Sequence, residues 1–186
     1  FLDQPVTLYD LHKLMAENYL KLFCQYGCVS GASLRLTNVY GPGPQSGSKD
    51  RGVLNQMMRK ALGGEPLMVY GEGEFVRDYV FIDDVINAFL SVPMSPVKTN
   101  GKHFLIGSGE GNSIFQAATM VAERVKNKKA VSVSIQHIKP PSNLSIIESR
   151  NFIANFREFN KATGWEPQYS LKKGIDRTLE NYSSSV

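Results

Sequence analysis

A phenol and an ammonium stand four residues apart near the start of the chain, in Tyr9-Asp-Leu-His-Lys13. On a helix that spacing puts both groups on one face. A phenol ionises at about pH 10 and is a poor base at neutrality, but a cation held close favours the phenolate. The chemistry open to the pair is therefore to move a proton to or from a hydroxyl. The pattern is short and common, and a solvated i,i+4 pair accounts for it equally well. His12 lies in the same stretch, but helical geometry turns it about 100° from its neighbour Lys13, which reads as a surface histidine.

The elements that must position the pair are marked around it. Thr7 with Asp10 predicts a helix N-cap, Leu11, Met15, Tyr19, Leu22, Phe23 and Tyr26 recur at helical spacing, and Gly27 closes the helix. Residues 29–43 then predict one short buried strand, through Ala32, Leu34, Leu36 and Val39, ending in a Gly-Pro turn. A helix leading into a buried strand predicts a parallel sheet, and ligands of such sheets gather at strand carboxyl ends, here residues 37–41.

Further on, residues 45–52 read as a polar loop and 53–62 as a helix. A strand over 67–70, a tight turn at 71–73 and an extended segment over 77–84 together predict a hairpin-like unit. Asp83 or Asp84 is expected to cap the next helix, which Pro93 stops. Strands are predicted over 103–107 and 131–135, and helices from a Ser113–Gln116 capping box, over 156–162 and over 171–182. Gly107-Ser-Gly-Glu-Gly111 lacks the last glycine of the dinucleotide fingerprint, because Asn112 stands there.

Composition narrows the classes. The 186 residues are 42% hydrophobic with a net charge of +4, which suits a packed domain or part of one and does not read as a nucleic-acid surface. Cys24 and Cys28 are the only cysteines, and they match neither a zinc pattern nor a disulfide framework. No apolar run reaches the length of a membrane span, and residues 1–5 carry neither a signal-peptide pattern nor an initiator methionine. The abrupt start predicts a piece of a longer, cytoplasmic chain.

Three longer motifs follow the Tyr-x-x-x-Lys pair in order: Leu34-Arg-x-x-Asn-Val-Tyr-Gly-Pro42, then Gly64-Glu-Pro-Leu-x-Val-Tyr-Gly-x-Gly73 with Arg77-Asp-Tyr-Val-x-Ile-Asp-Asp-Val85, and Gly164-Trp-x-Pro167. With them the chain resembles the extended short-chain dehydrogenase/reductase family, in its nucleotide-sugar epimerase and dehydratase branch. The resemblance runs over almost the whole chain but matches only the second half of the usual protein. Thr163 stands where that family has leucine, and Ala154-Asn155 replaces an Ala-Asp pair.

The resemblance implies an α/β fold: the C-terminal part of a Rossmann-like doubly wound parallel sheet plus a smaller mixed α/β substrate-binding domain. Residues 1–44 would end the NAD-binding domain, and 45–186 would be mainly substrate-binding, with some elements returning to the first. It implies Tyr9 and Lys13 as the catalytic pair, both also touching the cofactor, with Val39 and Tyr40 lining the nicotinamide pocket. Asn38, Arg77 and Arg150 would contact the substrate diphosphate; on the residues alone, an ion pair of Arg77 with Asp78 or Asp84 stays open. NAD (or NADP) is the implied cofactor of the full-length protein, with poor or no binding by this chain alone. The implied partners are a nucleotide-diphosphate sugar, UDP first among nucleotides, and a second copy in a homodimer; no nucleic acid, membrane or metal is called for. Epimerisation leads, with 4,6-dehydration, 4-ketoreduction and a non-catalytic sugar-nucleotide-binding module as alternatives.

Overall fold

The computed structural model describes residues 4–43, 52–142 and 146–184. The polar loop expected over 45–52 lies outside them except for Gly52. In chain order the elements are α1 (Leu8–Gln25), β1 (Ser33–Leu36), β2 (Asn38–Tyr40), α2 (Val53–Leu62), β3 (Leu67–Tyr70), β4 (Val76–Phe81) and α3 (Ile82–Ser91). They continue with α4 (Pro96–Thr99), β5 (His103–Ile106), β6 (Gly111–Ser113), α5 (Ile114–Lys129), β7 (Ile135–Ile138), α6 (Arg157–Thr163) and α7 (Leu171–Ser184). A 3-10 turn over Ile146–Ser149 precedes α6.

Two of the expected helix caps form. Thr7 Oγ1 accepts from the Asp10 N–H at 3.1 Å and starts α1. Ser113 and Gln116 form the reciprocal capping box of α5, at 3.0 and 2.8 Å.

Strand pairing differs from expectation in three places. The single buried strand over residues 29–43 is two strands that part at Thr37 and join different sheets: β1 pairs in parallel with β5, and β2 in parallel with β4. Nor is it buried throughout, since Leu36 is 40% exposed. The hairpin-like unit does not form. β3 pairs in parallel with β7, whereas β4 lies between β2 and antiparallel β6. The burial patterns explain the separation: β3 alternates in and out as a half-covered strand, while Asp78, Tyr79, Val80 and Phe81 of β4 are all buried and need neighbours on both sides. The strand expected over 131–135 begins only at Ile135, because Val131 and Val133 pack against the core from the preceding coil.

The larger core gathers α2, α5 and α7 around β3 and β4. Met58, Val121, Val125 and Ile175 are fully covered there, and each such side chain contributes about 1.5–3 kcal/mol by leaving water. A smaller core joins Ala88, Phe104, Ile106, Phe159 and Trp165 under one face of the β1–β5 pair.

Neither Asp83 nor Asp84 caps α3, whose N-cap is Phe81 with no side-chain bond, because both lie inside its first turn; Asp84 is committed elsewhere. Its buried carboxylate accepts from the Gln168 and Tyr169 N–H groups at 2.9 and 3.1 Å, and its carbonyl accepts from Trp165 Nε1 at 3.0 Å. The residue staples the turn between α6 and α7 to α3, and burial pushes its carboxyl above the usual range.

Candidate active site

Because α1 begins at Leu8, Tyr9 and Lys13 fall in its first turns. The Lys13 Nζ stands 5.4 Å from the centroid of the Tyr9 ring, so the two share a surface as their spacing predicts. That surface is open, with Tyr9 69% exposed.

The tyrosines near the expected substrate strand are of the opposite kind. Tyr40 turns into the larger core, where its hydroxyl donates to the Leu171 carbonyl at 3.2 Å. Burial raises its phenol pKa well above the ordinary value, and pushes that of Tyr79 up to about 12. Both stay neutral at physiological pH and are unavailable as bases. Val39 is half-buried on the same strand.

A second group forms where β2 meets β4. Asn38 Nδ2 donates to the Asp78 carbonyl at 3.1 Å, and Arg77 lies two residues before Tyr79, the register partner of Asn38. Neither acidic residue considered for Arg77 is its partner. The guanidinium instead donates to the carbonyls of Val76, Glu148 (2.7 Å) and Arg150, with the Glu148 carboxylate 3.6 Å away. Arg77 thus holds the backbone from which Arg150 projects, and Arg150 itself is exposed. Beside Glu148 opens a cleft of ≈ 130 Å³ floored by residues 70–75 and walled by Ile114 and Pro140.

Asp78 is what the sequence reading missed. It is fully buried with no cation paired to it among the described residues, and its carboxylate accepts from Ser108 Oγ (2.7 Å) and from the N–H groups of Ser108 (2.8 Å), Ala154 (3.0 Å) and Gly109 (3.1 Å). Gly107 is required by this approach, since a Cβ there would come within 2.5 Å of Asp78 Oδ2. Among the described residues, no hydrogen bond or ion pair links Tyr9 or Lys13 to this second group.

The same contacts bear on whether the run Gly107–Gly111 could receive a phosphate. The amides of Ser108 and Gly109 are committed to Asp78, and the helix after them is closed by its own capping box. No phosphate cradle is left in that glycine run. Among the described residues no helix is long and apolar enough to cross a membrane, and no three His, Cys, Asp or Glu side chains are grouped to hold a metal.

The chain is 30% identical over 176 residues to a UDP-glucose 4-epimerase of Mycolicibacterium smegmatis, covering 95% of this chain and 53% of that protein. It is also 30% identical over 179 residues to a dTDP-4-dehydro-6-deoxyglucose reductase of Escherichia coli, covering 95% and 52%. The crystal structure of a UDP-glucose 4-epimerase from Thermotoga maritima, with UDP-glucose, superposes with a TM-score of 0.82 at 30% identity, over 98% of this chain and 55% of that one. The chain thus spans about half the length of the curated relatives it matches. The NAD dependent epimerase/dehydratase family matches residues 1–107, through the Tyr9–Lys13 helix and the β1, β2, β4 and β5 strands, and the chain belongs to that family.

Proposed function

We propose that the protein to which this chain belongs is an NAD-dependent nucleotide-diphosphate-sugar epimerase, and that this chain supplies its proton-handling pair and its diphosphate-binding surface. The observation that carries the reading is the shared, open face of Tyr9 and Lys13, in a chain whose Tyr40 and Tyr79 are buried and neutral. Tyr9 Oη takes the proton of a sugar hydroxyl as the hydrogen on the same carbon leaves as hydride, and gives the proton back when the keto group is reduced from the other face. The nicotinamide supplies the acceptor and later donor of that hydride. Lys13 holds positive charge on the face where the phenolate forms and where ribose hydroxyls are met. Asn38 and the Arg77–Arg150 pair receive the diphosphate, with Arg77 organising the loop and Arg150 meeting the anion directly. Val39 and the Tyr40 backbone border the nicotinamide.

The test uses the full-length protein with UDP-glucose and catalytic NAD. Epimerisation without net NADH formation is expected, with Tyr9→Phe lowering kcat by about 10²–10⁴-fold. Full activity in Tyr9→Phe overturns the reading.

A second reading is favoured by the equal identity to the Escherichia coli reductase: a 4-ketoreductase, which would consume one reduced nicotinamide per sugar. Nicotinamide stoichiometry in the same assay separates the two.

A further inference from the structure

The two faces of the β1–β5 pair are covered by different forces. In parallel register Ser33 lies level with His103 and Arg35 with Leu105, so Arg35 and His103 point to one side. Leu34, Phe104 and Ile106 point to the other, onto Phe159 and Trp165 of the smaller core. The first side meets α1, and it meets it through charge. Arg35 forks onto Glu17, Nε to Oε2 at 2.8 Å and Nη2 to Oε1 at 2.7 Å, and His103 Nδ1 lies 3.2 Å from Glu17 Oε1. Glu17 is 13% exposed although most of α1 is not covered. The helix's one fully buried residue, Cys24, is at its far end.

We infer that Glu17 is a positioning residue: its clasp to Arg35 and His103 sets the rotation and height of α1 and thereby aims Tyr9 and Lys13. Three facts combine. Glu17 follows Lys13 by one turn and Tyr9 by two, so it is the anchored point nearest the reactive face. A planar fork on a carboxylate fixes direction as well as distance, which the single 3.7 Å contact from Cys24 Sγ to the Gly31 carbonyl does not. Arg35 also stands on the strand that runs through Thr37 into Asn38, so one bidentate pair ties the proton-handling helix to the edge proposed to meet substrate. The lever is appreciable: a rotation of about 15° moves a group about 6 Å from the helix axis by about 1.5 Å. Displacements of that size cost reactions about 10²-fold. The inference rests on the reading of Tyr9 and Lys13 as the proton-handling pair, and it adds a requirement that this reading does not contain.

Glu17→Ala tests it cleanly, because alanine is the best helix former and the substitution does not weaken α1 intrinsically. In this chain, hydrogen exchange at the amides of residues 12–20 is expected to speed up by about tenfold, with α5 changed less than about twofold. Arg35→Met, which removes the clasp from the other side, is expected to give the same local pattern. In the full-length protein Glu17→Ala is expected to lower kcat by about 10–100-fold with KM within about twofold. Unchanged exchange in α1, or equal acceleration in α1 and α5, overturns the inference, as does a kcat loss no larger than the unfolded fraction. If instead Tyr9→Phe keeps full activity, the proposed function fails whatever the exchange shows.

Discussion

α1 and α5 are the two longest helices, and they are held in opposite ways. Of the 18 residues of α1 only Cys24 is buried, and its Tyr9 and Tyr19 and the C-cap Tyr26 are 69, 59 and 74% exposed. Of the 16 residues of α5, Ala117, Ala118, Val121 and Val125 are fully covered between α2, α7 and β3. Both sequences are amphipathic, so the pattern announces an apolar face in each but does not say what covers it. In α5 the cover is the chain's own core. In α1 the link to the sheet is chiefly an ionic clasp, and the apolar side stands open in a chain that spans about half of its relatives. On the proposed reading, the rest of the protein and a second copy meet that side.

The contrast breaks most readily at its seam. Asp78 joins β4, in the middle of the larger core's sheet, to the residues that follow β5 and to Ala154. Asp78→Asn keeps one acceptor and turns an amide toward the remaining donors, so a loss of about 3 kcal/mol in denaturant unfolding is expected, more than any exposed α1 change produces. A loss below about 0.5 kcal/mol would show that the seam carries no stability.

On the α5 side, Gly174 of α7 sharpens the point. Helix propensity alone predicts that Gly174→Ala stabilises by about 1 kcal/mol. A Cβ there would meet Tyr40 Oη at 2.0 Å and Phe81 at 2.9 Å, so a net loss of about 1–3 kcal/mol is expected from thermal unfolding. Stabilisation would mean that this core is loose.

Asp84 gives a pH signature of the same packed region. Burial raises its folded pKa above that of the unfolded chain, so the folded state binds the proton more tightly. The stability this provides is complete below the unfolded pKa of about 4 and is lost as pH rises through the raised value. Unfolding free energy should therefore fall across that window by up to about 1.4 kcal/mol per pH unit, and Asp84→Asn should remove that part of the slope. Identical pH profiles for the two proteins would place the titration elsewhere.

The smallest effect belongs to α1. Tyr19→Ser is expected to shift stability by about 0.5 kcal/mol or less in this chain. A loss comparable to that of a core residue would show that the face is covered after all.

What could be read from the sequence was what neighbouring residues decide. The Thr7 cap, the Ser113–Gln116 box and the helix over residues 53–62 depend on groups a few positions apart, and each stands where it was expected. The Tyr9–Lys13 face is of this kind too. Strand partners were not legible, because β3 and β7 are 68 positions apart in register and are brought together by packing against α5, not by any turn signal. The contacts of Arg77 were hidden for the same reason: an ion pair with Asp78 or Asp84 was left open as the alternative to a diphosphate contact, but Asp78 is satisfied by donors 30 and 76 residues away, and Arg77 donates to carbonyls 71 and 73 away. Glu17 carried no local signal at all, since its partners lie on two strands that the fold sets side by side.

The most direct measurement is calorimetric titration of this chain with UDP and, separately, with NAD. The account predicts that UDP binds, that Arg77→Ala abolishes the binding, and that NAD binds poorly or not at all. Tight NAD binding would contradict it, because it would demand a phosphate cradle within these residues, where Asp78 already holds the Ser108 and Gly109 amides and the α5 capping box holds those of Ser113 and Gln116.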